Sequence, residues 1–433
     1  MAKGRRLNRE PRLQTEPRDG VPDVIDTPEG YRRYCARLRE TSGPLAADAE
    51  RASGFRYGHE DWLVQFKRDG AGIGLLDPVA LDAAGVRWNE FNDAVGDATW
   101  IIHDASQDLP GFAQIGLEPR ALFDTEIAAR LLGLHRFGLA AVMEQYLGIT
   151  LAKEHSAADW SYRPLPRDWR NYAALDVELL IELEQRLSHD LKRQGKDEWA
   201  RQEFAHTLHE GMLPRPGHPV PWMRISRITS LSRDRQGLAV AKALWQERDR
   251  LAQHYDIAPG LLLSDAAIIE AAQKKPRNAR EFRAIRSLNE RVRIHTGGEQ
   301  DKMFERYAPI QRAVKPNVWK TVIQEALALR PDQWPSVPAQ PADAPNNAPR
   351  SMRIWSTRHP ERYRRLQAVR QTINQIAEDT RTPAEMIIKP QIIRNLCWMD
   401  DPAGGNVAEF LTEQGARPWQ VSLVAASVSR VIM

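Results

Sequence analysis

The chain has 433 residues, 42% hydrophobic and 27% charged, with a formal net charge of +4. That length predicts two to four domains at roughly 150 residues each, and the balance excludes collagen-like, coiled-coil and wholly disordered chains. Only two cysteines, Cys35 and Cys397, are present, which excludes a disulfide scaffold, makes a zinc site improbable and fits a reducing, cytoplasmic setting.

The opening twenty residues, MAKGRRLNREPRLQTEPRDG, lack the continuous apolar core of a secretory leader. Residues 1–25 are polar and aperiodic and are expected to form a disordered tail. Aliphatic runs such as Leu261-Leu262-Leu263 are too short to cross a bilayer, so no membrane association is expected.

In PLAADAE, Leu45, Ala47 and Ala49 fall on one strand face and Ala46, Asp48 and Glu50 on the other. WLVQF at 62–66, the turn residues Asp69-Gly70 and GIGLL at 72–76 predict a β-hairpin. TWIIH at 99–103 and ALFDT at 121–125 predict further strands. Helical periodicity follows at 125–132 and 139–147, and as one long helix over 172–187. A hairpin followed by alternating helices and strands predicts an α/β domain with a mixed sheet flanked by helices.

The prolines Pro214, Pro216, Pro219 and Pro221 mark a linker over 213–221, and a second cluster from Pro331 to Pro349 marks another over 326–350. Three domains result, over 26–212, 222–325 and 351–433. Helices at 240–252, 266–272, 363–379 and 390–398 make the last two all-α. A faint repeat links them, because Pro259 precedes Ile268-Ile269 by the interval at which Pro383 precedes Ile392-Ile393. Charge divides along the same lines. Residues 31–210 carry 21 Lys+Arg against 29 Asp+Glu, and 221–320 carry 20 against 11. The basic excess suits a polyanion or a plain solvated surface.

Asp48 and Glu50 project the same way, about 6.6 Å apart along a strand. Asp104 and Asp108 follow the strand ending at His103, where open α/β sheets place ligands. His103 itself reads as a packed or capping residue. Tyr172 and Asp176, four apart, share a helix face. Convergence of Asp48, Glu50, Asp108 and Asp176 would demand divalent cations, and all-oxygen ligands suit Mg²⁺ or Mn²⁺. Two such ions can drive phosphodiester hydrolysis.

The runs D-A-E at 48–50, H-D-A-S-Q-D-L at 103–109 and N-Y-A-A-L-D-V at 171–177 resemble the three exonuclease motifs of ribonuclease D, in the tyrosine subgroup of the DEDD superfamily. FDTEIAARLLG (123–133) and KEHSAADWSYRPLPRDW (153–169) resemble its intervening sequence, and the two all-α regions resemble HRDC domains. The resemblance implies a ribonuclease-H-like fold followed by two HRDC-like domains, and 3′→5′ hydrolysis of RNA to nucleoside 5′-monophosphates. It implies RNA with an accessible 3′ end as partner, typically a tRNA precursor, and a monomer with no obligate protein partner. Asp48, Glu50 and Asp176 would hold one metal, Asp48 and Asp108 the second, and Tyr172 the attacking water. Asp124 is read as structural. The pattern departs in its first motif, where Arg51 replaces the usual phenylalanine after the glutamate. Arg51 is a candidate phosphate contact or a solvent-exposed side chain. Lys274, Lys275, Arg277 and Arg280 are further candidates for RNA backbone contacts. A DNA-directed exonuclease and an inactive RNA-binding scaffold are the competing readings.

Overall fold

The computed structural model describes residues 11–151, 155, 157–294, 300–336, 348–400, 402 and 405–432. Residues 1–10 of the expected tail and 337–347 of the expected second linker lie outside the described residues.

Among the described residues eight strands follow in order: β1 (Arg12–Gln14), β2 (Val24–Ile25), β3 (Leu45–Arg51), β4 (Asp61–Arg68), β5 (Gly72–Leu76), β6 (Thr99–Ile102), β7 (Ala121–Asp124) and β8 (Ile149–Leu151). Six form one sheet in the order β2-β5-β4-β3-β6-β7. β3, β4 and β5 form an antiparallel meander, while β6 and β7 continue parallel from β3. The sheet is mixed, as expected, and β3 lies inside it. Alternation explains the hairpin: Val64 and Phe66 point into the aromatic core that Phe91, Trp100 and Phe112 complete, with ring centroids 4.5 Å apart for Phe66–Phe91 and 5.7 Å for Trp100–Phe112.

Two expectations are corrected. The segment after residue 10 is no free tail: β1 pairs parallel with β8, β2 extends the sheet beside β5, and Arg18 bonds Glu182 at 3.0 Å. Strands of three and two residues carry no readable period, and β8 lies far along the chain. The long helix over 172–187 is two helices, Arg167–Glu178 and Leu180–Arg193, broken at Leu179 with φ −113° and ψ 4°. Lys67 supplies the reason. Its ammonium bonds the Glu178 carbonyl and pairs with the buried Glu178 carboxylate at 3.4 Å, drawing that carbonyl away from the helix.

The two helical modules repeat one plan. Each is built on a 21-residue helix, Arg235–Tyr255 or Pro360–Thr380, capped by a left-handed residue, Asp256 or Arg381. A four-residue helical turn and a helix with two buried isoleucines follow in both. The first module packs on the nuclease-side loop after β3. There Phe304 stacks on Phe55 at 4.5 Å and Ala258 N–H donates to the Phe55 carbonyl at 2.8 Å, while Tyr307 donates to Asp159, ahead of helix Arg167–Glu178, at 3.0 Å. The second packs on helix Asp197–Met212 through stacked Trp199 and Trp419. Gly133 adopts φ +81°, and a Cβ there would sit 2.3 Å from the Arg381 carbonyl oxygen, so only glycine permits this approach.

Arg417 ties the second module down. Its guanidinium forms a two-point contact with Glu203 at 2.7 and 2.8 Å, and Trp419 Nε1 donates to the same carboxylate at 2.8 Å. All of this is buried. Arg417→Ala would strand the Glu203 charge, and chemical denaturation should show a loss of about 3–5 kcal/mol. A loss under about 1 kcal/mol would show that the contact holds nothing.

Candidate active site

Four acids and a tyrosine meet over the middle of β3. Asp48 and Glu50 leave the strand on one face, and Gln65, opposite Asp48 in the ladder, donates to Asp48 Oδ2 at 2.6 Å. Helix Arg167–Glu178 crosses β3, β4 and β5 and presents Tyr172 and Asp176 to that face. One carboxylate oxygen from each of Asp48, Glu50 and Asp176 lies within 4.8 Å of the others. Asp108 arrives differently. Asp104 turns the chain through a left-handed φ of 57°, and Asp108 then lies in the first turn of helix Ala105–Ile115. It is buried, shares a hydrogen bond with Asp48 and accepts one from Arg51 at 2.8 Å.

The electrostatics are those of crowded anions. Burial pushes Asp48 up to about 6, with the Ala49 amide, Arg51 and Gln65 pulling it back. Burial and then the charges of Asp48, Asp176 and Asp108 hold Glu50 well above the usual carboxylate range. Asp176 is raised by burial and by Asp48, and a hydrogen bond donated by Tyr172 opposes this. The Tyr172 phenol is itself pushed up by burial and by Asp176, so it stays neutral. Its ring packs edge-on to His155 and against Trp160, both with centroids 6.2 Å away. Three facing carboxylates, Glu50 buried and Asp48 and Asp176 half-buried, fit a hard divalent cation, which relieves the repulsion that otherwise favours protonation.

The remaining expected residues sort cleanly. Asp124 is structural: it caps helix Thr125–Leu131 and accepts from the Ala105 amide at 2.8 Å. His103, 2.8 Å from Thr125 Oγ1, is pushed down to about 4 by burial and remains a neutral packing residue. Arg51 is neither solvent-exposed nor free for a phosphate, because it pairs with Asp61 at 2.9 Å and Asp108 at 2.8 Å. Lys274 pairs with Glu270 at 2.7 Å and Lys275 with Asp234, so neither offers an unneutralised charge. Arg277 and Arg280 are exposed. Sequence reasoning missed Gln65 and Asp61. A polar residue inside the apolar run WLVQF was the available signal for Gln65, and an unexplained arginine after Glu50 implied a counter-charge such as Asp61.

Residues 22–192 match the family described as 3′-5′ exonuclease, 237–299 the HRDC domain, and 348–432 the 3′ to 5′ exonuclease C-terminal domain. Fold and site thus define a 3′-5′ exonuclease domain followed by an HRDC domain and a further helical domain. Ribonuclease D of Shewanella sp. (strain ANA-3) is 32% identical over 230 residues, 52% of this chain and 58% of that protein. The ribonuclease D of Sphingobium indicum is 28% identical over 62% of this chain and 68% of its own. A crystal structure of a protein from Bifidobacterium adolescentis is 67% identical, with a TM-score of 0.93 over 98% of this chain and 100% of that one. The structure of Escherichia coli RNase D shares the fold at 22% identity and a TM-score of 0.59, covering 94% of this chain and 98% of its own. Over 52–62% of its length the chain is thus similar to ribonucleases D, of which it spans 58–68%.

Raised carboxylate pKa values set a sign for pH and metal. A group such as Asp48, ordinarily near 3.8 and here about 6, favours the folded state while protonated and loses that contribution as pH rises through 6. The metal-free protein should therefore lose thermal stability between about pH 4 and pH 7, and Mg²⁺ should restore it at the higher pH only. Equal Mg²⁺ stabilisation at both pH values would contradict this placement of the charges.

Proposed function

We propose that this chain is a metal-dependent 3′→5′ exoribonuclease that shortens RNA from an accessible 3′ end and releases nucleoside 5′-monophosphates. The observation that carries the reading is the meeting of Asp48, Glu50 and Asp176 beside a neutral Tyr172. Asp48, Glu50 and Asp176 would hold one cation, and Asp48 with Asp108 a second, with Mg²⁺ or Mn²⁺ suiting oxygen ligands. When bound, such ions supply Lewis-acid chemistry, acidifying water and neutralising charge on the leaving oxygen.

The chain's own groups do the rest. Gln65 donates to one Asp48 oxygen and so fixes the orientation of that carboxylate. Tyr172 spends its proton on Asp176, so its phenolic oxygen is left to accept a hydrogen bond from the attacking water and orient it. His155 and Trp160 keep that ring in place. The curated relatives named above are ribonucleases D, and the Escherichia coli protein is described as an exoribonuclease involved in structured RNA processing. Those names support RNA over DNA here, with a 3′-extended tRNA precursor as the proposed substrate. The exposed Arg277 and Arg280 are proposed to meet its backbone.

Digestion of matched 3′-extended RNA and DNA oligonucleotides with Mg²⁺, Mn²⁺ or chelator tests this. RNA should lose nucleoside 5′-monophosphates from its 3′ end only with metal. Asp48→Asn should cut the rate at least about a thousandfold, the several kcal/mol of charge stabilisation such ions supply. Tyr172→Phe should cost about ten- to a hundredfold in kcat with KM little changed. Preferential DNA degradation, or no metal-dependent release at all, would overturn the reading.

A further inference from the structure

Beside the three facing carboxylates sits a fifth buried acid that the reaction does not use. The register of β3 against β4 shifts between Glu50 and Arg51: Glu50 lies opposite Leu63, whereas Arg51 lies opposite Asp61. The shift re-aims Arg51. Arg51 Nε then lies 2.9 Å from Asp61 Oδ1, and a terminal nitrogen lies 2.8 Å from Asp108 Oδ1. The Asp61 and Asp108 side chains are 0% and 5% exposed, the Arg51 side chain 23%. Neither Asp61 oxygen has a hydrogen bond of normal geometry among the described residues, so the Arg51 ion pair is what compensates its charge. The helix that carries Asp108 is shaped for this pair. A Cβ on Gly111 would sit 2.2 Å from Asp61 Oδ2, so only glycine leaves the carboxylate its room.

A guanidinium against Asp108 does there what a metal ion would do, neutralising a buried anion. Asp108 is also the one of the four acids outside the group whose oxygens face one another within 4.8 Å. Resting on the two-cation reading above, we propose that Arg51, anchored by Asp61, is a positioning residue that occupies Asp108 as a resident cation and makes metal loading sequential. The Asp48–Glu50–Asp176 position is open to a cation at once. The Asp108 position fills only as Arg51 gives up its bond, and the Asp61 contact at Nε keeps the arginine in place while the far nitrogens let go. The two metal positions are therefore unequal in this chain.

Calorimetric titration of the full chain with Mn²⁺ alone, without RNA, reads this directly. The wild type should bind one Mn²⁺ tightly and a second at least about tenfold more weakly. Replacing the pair by neutral side chains of similar size, Arg51→Met with Asp61→Asn, should tighten the second site about tenfold or more and leave the first unchanged. Arg51→Lys should keep the inequality. Should the Met/Asn protein not fold, Arg51→Gln with Asp61→Asn removes the same charges and retains a hydrogen-bonding pair. Two equal sites in the wild type, or an unchanged second affinity in the neutral pair, would overturn the proposal. RNA digestion by wild-type protein at saturating Mn²⁺ separates the two levels. Cleavage with equal sites sinks the Arg51 role alone, whereas unequal sites without cleavage sink the exonuclease reading.

Discussion

Repulsion among crowded carboxylates is the constraint around which this protein is built. Asp48 and Glu50 sit two apart on an interior strand, and Asp176 is pressed onto the same face from a crossing helix. Burial raises all three, Asp48 and Asp176 raise Glu50 further, and Asp48 raises Asp176. A fold spends stability on such an arrangement only at a site that uses it. The compensations are local: Gln65 on Asp48, Tyr172 on Asp176, and Arg51 on Asp108.

The rest of the structure holds these groups still. Tyr172 is walled by Trp160 and His155, and the same loop carries Asp159, which the first helical module grips through Tyr307. Phe55, a few residues beyond β3, is stacked under Phe304 of that module. The first helical module is thus continuous with the packing behind the site as well as a basic surface. On the other side, Arg417 and Trp419 clamp the last module to helix Asp197–Met212, whose Gly211 meets Leu109 next to Asp108. Both helical modules therefore bear on elements that carry site residues.

The hairpin and the strands at 99–102 and 121–124 were legible as short apolar runs bounded by turn residues, and the helix at 139–147 by its apolar period. The four acids were not legible from spacing; motif order and resemblance brought them together. What escaped depended on partners remote in sequence. The short strands β1 and β2 exist only through β8 and β5. The break at Leu179 comes from Lys67, and the neutralisation of Lys275 from Asp234. Arg51 could not be placed without knowing that a register shift sets Asp61 opposite it and that Gly111 makes room.

Anomalous diffraction from crystals of the full chain soaked in Mn²⁺ would go straight to the centre of this description. An ion peak coordinated by Asp48, Glu50 and Asp176, lost in Asp176→Asn, is the expected result. Carboxylates that keep their places around no ion, or an ion bound at a different group of acids, would contradict it.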